Sequence, residues 1–223
     1  MKWIYKVFFL AVLVPVMAFA QWGGLNGPQK QLLNAATLNL PPIAGTWYYA
    51  DMKSGNEKAS GVYPEEAVCS LKTALGKCVA GRGDGVCLLP DSQAYDFTVS
   101  ACCTLSKPLV TIAGPLGAGG YPLARITTLG TGTTAGKATQ KKDVLLLNAY
   151  GIRLFNLRIS NIDTGGIGGI KVSARGTGAV VKNCEIIGGN IAVAAADSVN
   201  THDVFLDSVS YCSFEDCNLG TYE

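Results

Sequence analysis

Gly151-Ile-Arg-Leu-Phe-Asn-Leu-Arg-Ile159 and Gly178-Ala-Val-Val-Lys-Asn-Cys-Glu-Ile186 are two copies of one pattern, 27 residues apart. Asp203-Val-Phe-Leu-Asp-Ser-Val-Ser-Tyr211 reads as a third copy, 25 residues further on. One set of positions is apolar or aromatic throughout: Ile152, Leu154, Leu157, Ile159; Ala179, Val181, Cys184, Ile186; Val204, Leu206, Val209, Tyr211. The residues between them are mostly polar. Alternation with period two gives each copy a single buried face, the mark of a β-strand and not a helix. The polar steps Phe155-Asn156 and Lys182-Asn183 divide a copy into two short strands and keep the same inward parity on both sides.

A repeat of about 25 residues built from short strands points to a solenoid. One copy cannot bury its apolar face alone. Stacked in parallel, each strand gains a neighbour above and below, and like side chains form interior columns. Leucine-rich repeats require a Leu/Asn spacing that is missing here, and propeller blades require four antiparallel strands each. A two-sheet sandwich is the competing arrangement. Strand twist and crossover sterics make the expected coil right-handed. The register places Cys184 inside, between Leu157 and Val209, as an unreactive buried thiol.

Working outward from the repeats, Gln21 to about Gly45 is punctuated by Gly23, Gly24, Gly27, Pro28, Pro41 and Pro42 and reads as a tether. Thr46 to Tyr49 reads as a short strand, and Asp51 to Tyr63 as a polar loop. A helix is expected from Pro64 to about Ala80. Pro64 suits its first position, Glu65 and Glu66 its positive end, and Gly81 its stop. Its buried face would carry Val68, Leu71, Leu75, Cys78 and Val79. Cys69 would lie about 180° around that helix from Cys78, too far to pair with it.

Tyr49-Ala50-Asp51, Gly55-Asn56, Gly61, Pro64-Glu65-Glu66-Ala67, Leu71, Ala74 and Gly81-Arg82-Gly83-Asp84-Gly85-Val86 resemble the opening of right-handed parallel β-helix proteins of the pectate-lyase-like superfamily. The resemblance covers roughly residues 46–223. It implies a strand, a Gly/Asn loop and a capping helix, then a first coil at Val86-Cys87-Leu88-Leu89-Pro90 and a second at Leu109 to Gly114. The expected fold class is therefore all-β: a right-handed parallel β-helix with an N-terminal capping α-helix, residues 46–85 forming the N-terminal strand and cap and 86–223 the coils. At about 25 residues per turn the coils number five or six. The chain ends at Gly220-Thr-Tyr-Glu223 with no closing segment, the pattern of a truncated frame or of coils that stack end to end on a partner.

Composition sets the compartment. The chain has 223 residues, 48% hydrophobic and 15% charged, which excludes a disordered chain. Lys2 and Lys6 precede an unbroken apolar run, Val7 to Ala20, ending in Ala18-Phe19-Ala20. That is the pattern of a cleaved export signal over residues 1–20, and the run falls short of the ~20 residues a spanning helix needs. Without it the 18 Lys+Arg become 16, equal to the 16 Asp+Glu. A neutral mature chain gives no electrostatic case for a nucleic-acid partner. Secretion, the cell surface or a periplasm is the expected location, with no membrane span after cleavage. Eight cysteines (Cys69, Cys78, Cys87, Cys102, Cys103, Cys184, Cys212, Cys217) permit disulfides in such a compartment. Each equally suits a buried free thiol.

The resemblance implies two kinds of site: an Arg or Lys base with calcium-binding acids, as in the lyases, or clustered Asp residues with a His, as in the polygalacturonases. Neither maps onto this sequence. Asn200 to Asp207 resembles a lyase strand, yet Ser208 stands where its His would be. Asn161-Ile-Asp163 is similar to the Asn-x-Asp of polygalacturonases without its paired acids. Arg153, Arg158 and Arg175 are the candidate substrate-binding residues, a basic strip for acidic sugars. Asp203, Asp207 and Asp216, with Glu215, are the candidate ligands of a Ca²⁺ ion. Ordinary outward positions on strands are the plainer reading of both groups. No cofactor other than such a Ca²⁺ is expected. Two functions fit: a secreted β-helix that binds polysaccharide or serves as a surface module, and a lyase or hydrolase acting on polyuronates.

Overall fold

A computed structural model describes residues 27–90, 97–99, 103–128, 144–160, 168–187, 202–206 and 211–220. The export signal and Asp207 lie outside these residues. The described chain is almost all β. Helix α1 spans Gly27–Thr37 and helix α2 Leu71–Lys77. Strands β1 (Trp47–Ala50), β2 (Gly85–Leu88), β5 (Thr111–Ala113), β8 (Arg153–Phe155), β11 (Val180–Lys182) and β14 (Ser213–Glu215) form sheet A in that order. Sheet B holds β3 (Phe97–Val99), β6 (Ala124–Thr128), β9 (Leu157–Ser160), β12 (Glu185–Ile187) and β15 (Asn218–Gly220). Sheet C holds β4 (Cys103–Leu105), β7 (Leu145–Leu147), β10 (Gly168–Val172) and β13 (His202–Leu206). The chain visits A, B and C in rotation, and every pairing between these strands is parallel. The result is a right-handed parallel β-helix.

Its core is a set of columns. In sheet A, Val86, Ile112, Leu154 and Val181 stack in register and are fully buried. In sheet B, Ile126, Ile159 and Ile186 do the same. In sheet C, Leu145 pairs with Ile170, and Leu147 with Val172. Burying such a side chain contributes about 1.5–3 kcal/mol. The 27-residue offset between the first two copies is the observed register, Arg153 opposite Val180 and Arg158 opposite Glu185.

The third copy is not where the sequence pattern puts it. Val204 and Leu206 belong to β13, which pairs with β10 in sheet C. The true continuation is Tyr211 to Gly220: Ser213 pairs with Val180, an offset of 33, and Asn218 with Glu185. Any strand with alternating apolar residues matches any other, so alternation alone cannot tell sheet A from sheet C. Tyr211 is accordingly 91% exposed, not inward. Cys184 is buried and free, with Leu157 on one side as expected and Cys217 in place of Val209 on the other. Burial pushes its thiol up to about 12.

The corners carry the turning. Two residues before each sheet A strand after β1 the backbone enters the left-handed region: Gly83, Leu109, Gly151, Gly178 and Tyr211, φ between 58° and 77°. Between sheets A and B the same conformation falls on Asn156, Asn183 and Asp216. Short polar side chains tolerate it best after glycine. Asn183 Nδ2 donates to Asn156 Oδ1 (3.0 Å), and Asn156 Nδ2 to the Gly114 carbonyl (3.3 Å), which satisfies amides otherwise stranded in the wall.

The cap differs from the expected long helix. Pro64–Glu66 is a single 3₁₀ turn, and Val68 is extended, bridging in parallel to Ala50 at the edge of sheet A. The α-helix starts only at Leu71, where the Ser70 hydroxyl accepts from the Thr73 N–H (3.1 Å). Cys69 therefore precedes the helix, and Val79 lies exposed beyond it. Leu71, Ala74 and Cys78 continue the interior columns and close the first turn. Lys107 Nζ donates to the carbonyls of Leu75, Gly76 and Cys78 (2.6–3.0 Å) and so clamps the negative end of α2 to the coil.

The segment read as a tether is also structured. It holds α1, and Ala35, Leu38, Leu40 and Ile43 pack on the outer face of sheet A over Trp47, Tyr49, Cys87 and Ala113. Gly27 and Pro28 open the helix, and Pro41 and Pro42 follow it without freeing the chain, because the apolar groups around them have a surface to bury.

Asp84 joins these parts. It is fully buried and accepts from Thr46 N (2.9 Å), Val79 N (2.6 Å), Arg82 Nε (2.6 Å) and Arg82 Nη2 (2.7 Å). Burial alone would raise its carboxyl. Arg82 and the two N–H groups outweigh it and hold the carboxyl below its ordinary value. A depressed folded-state value stabilises the fold above the ordinary carboxylate range, and that contribution disappears as pH falls through the folded-state value. Asp84→Asn should therefore lower stability by at least ~2 kcal/mol at neutral pH and flatten the acid limb of a stability-versus-pH curve measured by urea unfolding. An unchanged acid limb would remove Asp84 from this role. Leu154→Ala, at the centre of the sheet A column, should cost ~2–5 kcal/mol in the same assay.

Candidate functional site

Alternation places every second strand residue outside, so the available chemistry lies in outward columns. On sheet A one column runs Tyr49, Cys87, Ala113, Phe155, Lys182, Glu215, and a second runs Trp47, Gly85, Thr111, Arg153, Val180, Ser213. The N-terminal segment covers the lower turns. At the upper end Lys182 Nζ donates to Glu215 Oε2 (3.0 Å), Ser213 Oγ donates to Glu215 Oε1 (2.8 Å), and Asp216 Oδ2 lies 3.9 Å from the same ammonium. The bond from Lys182, then that from Ser213, hold the Glu215 carboxyl below its ordinary value. Sheet B presents Arg125, Arg158, Glu185 and Asn218 in one column. Arg158 Nε donates to Glu185 Oε2 at 2.5 Å. Sheet C presents Thr104, Leu146 and Lys171 in register.

The three candidate arginines occupy three separate places. Arg153, in β8, donates from Nε to Thr111 Oγ1 (3.1 Å) and from Nη2 to the Pro42 carbonyl (3.2 Å), with its guanidinium 5.8 Å from the centre of the Phe155 ring. It fastens the N-terminal segment to the coil. Arg158 lies on sheet B, bound to Glu185. Arg175 lies in the corner between β10 and β11, exposed, and no side-chain partner is assigned to it among the described residues. Of the candidate metal ligands, Asp216 is an exposed corner residue beside Lys182, and Asp203 is placed only by its backbone in β13. Among the described residues no three His, Cys, Asp or Glu side chains gather to hold a metal ion.

Sequence reasoning missed the pairs Arg158–Glu185 and Lys182–Glu215. The first was readable, since a 27-residue offset sets those two residues opposite each other. The second requires the 33-residue offset that the third copy concealed. It also missed a run of exposed aromatics at the corner between sheets C and A, where Tyr150 is 60% and Tyr211 91% exposed. No helix among the described residues is long and apolar enough to cross a membrane.

With this geometry in hand, the structure resembles two solved pectin methylesterases. One is PemA from Erwinia chrysanthemi, at TM-score 0.52 and 14% identity, covering 78% of this chain and 49% of that one. The other is a pectin methylesterase in complex with a hexasaccharide, at TM-score 0.51 and 14% identity, covering 80% of this chain and 50% of that one. The chain has the right-handed parallel β-helix fold. No protein-family model and no curated protein matches the sequence. The β-helix described here spans about half the length of these neighbours.

The charged pairs on the outer faces make a checkable statement. Lys182→Met should move the Glu215 carboxyl upward, with the Ser213 bond keeping part of its depression, followed by side-chain carboxyl NMR through a pH titration. Both groups are exposed, so thermal stability should barely move. A Glu215 titration that does not move would assign its low value to Ser213 alone.

Proposed function

We propose that this protein engages pectin-type polyuronates through the outside of its β-helix. The observation that carries the reading is the fold: three parallel sheets whose stacked turns extend over four-fifths of the chain in common with a hexasaccharide-bound pectin methylesterase. A stack of turns offers binding positions one strand spacing apart, ~4.8 Å, along a straight wall. A polymer with a regular repeat can follow such a wall. The exposed guanidinium of Arg175 adds a cation suited to a carboxylate. Residues 1–20 carry the pattern of an export signal, and such a destination is where the protein would meet this polymer. Glu185 and Glu215 are each bound to a cation, which favours binding over acid–base work on these two faces.

The test is affinity electrophoresis through gels containing polygalacturonate, methylated pectin or neutral galactan, followed by assays of released methanol and of unsaturated uronate product, each with and without Ca²⁺. Retardation by the acidic or methylated polymer, and not by galactan, is the expected result. Product formation would extend the reading to an esterase or a lyase. Equal migration in all three gels would overturn it.

A further inference from the structure

The corner between sheets C and A holds groups that the core does not use. Tyr150 comes just before the left-handed Gly151, and Gly151 N donates to the Thr177 carbonyl of the next turn (3.1 Å). That places Tyr150 under the turn at residues 173–178. Its ring packs against Gly178: a Cβ there would meet Tyr150 Cε2 at 3.1 Å, Cδ2 at 3.6 Å and Cζ at 3.7 Å. The ring is nevertheless 60% exposed. One turn on, at the position that Gly178 holds, stands Tyr211, 91% exposed. The two residues therefore stand on one ridge, Tyr150 packed against Gly178 and Tyr211 one turn beyond that glycine, with turns about a strand spacing, ~4.8 Å, apart.

Tyr211 is also a costly choice. Its φ of 58° falls in the left-handed region, which costs a bulky L-residue on the order of 1 kcal/mol. Glycine fills the same corner position at 83, 151 and 178. Leu109, the other non-glycine there, is offset by packing beneath Gly151. Tyr211 has no comparable burial, so its strain is not explained by stability.

Arg175 lies in the same turn. That turn is braced by Gly176 N to the Ser173 carbonyl (2.7 Å), Ala179 N to the Gly176 carbonyl (3.2 Å) and Ser173 Oγ to Asn148 Oδ1 (2.6 Å). The guanidinium is exposed on a rigid support.

We propose that Tyr150, Gly178 and Tyr211, with Arg175, form a binding ridge for an acidic oligosaccharide of the uronate class. The apolar faces of successive sugar rings stack on the two tyrosines. Gly178, with no Cβ, lets the Tyr150 ring sit close against the backbone of the next turn, and Arg175 takes a uronate carboxylate through its planar fork. The proposal rests on the polyuronate reading above and adds a location to it.

The experiment measures binding of oligogalacturonates, and of their methyl esters, to the full chain by calorimetry. The variants are Tyr150→Ala, Tyr211→Gly and Arg175→Gln. Tyr211→Gly keeps the corner conformation and relieves its strain, so its thermal midpoint should hold or rise while affinity falls about fivefold to tenfold. Arg175→Gln should reduce affinity for the acid and leave the methyl ester unchanged. If the wild-type chain binds oligogalacturonate and all three variants bind it equally well, the ridge is wrong and the polyuronate reading stands. If the wild-type chain binds neither ligand, both fall. If Tyr211→Gly instead abolishes a concentration-dependent self-association, the ridge joins copies of the chain and the sugar assignment is overturned.

Discussion

Each turn of this wall must change direction three times without leaving a polar group stranded or moving an apolar one off its column. A single left-handed residue at two of the corners achieves this. It reverses the local sense of the chain within one residue, so strand parity is the same on both sides of the bend. Leu154 and Leu157 can then both point inward across Asn156. Because parity is conserved, side chains of like kind stack from turn to turn, and the core becomes a set of continuous columns. The buried amides at Asn156 and Asn183 and the glycines at 151 and 178 all follow from that requirement.

The same constraint decides what was legible in the sequence. The pair of copies at 151–159 and 178–186 could be read correctly because both contain a corner: the polar step at Asn156 and Asn183 is a landmark that alternation alone lacks. Residues 203–206 have the alternation without the corner. They were matched to the wrong sheet, while Tyr211 to Gly220, which has its corner at Asp216, was passed over. The capping helix was overextended for a related reason. Pro64 and the two glutamates are good helix starters, yet the backbone of Val68 was needed to pair with Ala50, and a hydroxyl cap at Ser70 became available only after it.

The candidate site was less legible than the fold because charge has no period. Arg153, Arg158 and Arg175 look alike in a sequence. Three-dimensional placement makes one a fastener for the N-terminal segment, one half of an ion pair, and one an exposed corner cation. The aromatic ridge was hidden by the same register error that hid the corner position of Asp216: Tyr211 looks like a core residue until Ser213 is set opposite Val180. Outer surfaces of solenoids combine structural pairing with ligand contact along the same columns. The residues left over after pairing are therefore more informative than the total of charged ones.

The amide ladder has a direction. Asn183 donates toward Asn156, and Asn156 toward Gly114, so each side-chain donor is satisfied by the turn made before it in the chain. The backbone N–H groups at those corners point the other way, Asn156 to Lys182 and Asn183 to Glu215. A nascent turn thus finds a waiting acceptor below and presents above it a backbone N–H and, at Asn156, a side-chain amide oxygen. Growth from the amino terminus would then be a zipper in which every finished turn is the mould for the next, matching the order in which a ribosome delivers the polypeptide. Asp216 interrupts the sequence of amides, since a carboxylate has no proton to give to Asn183. The ladder that begins at Gly114 therefore ends at Asn183, and beyond that rung vectorial assembly depends on strand pairing alone.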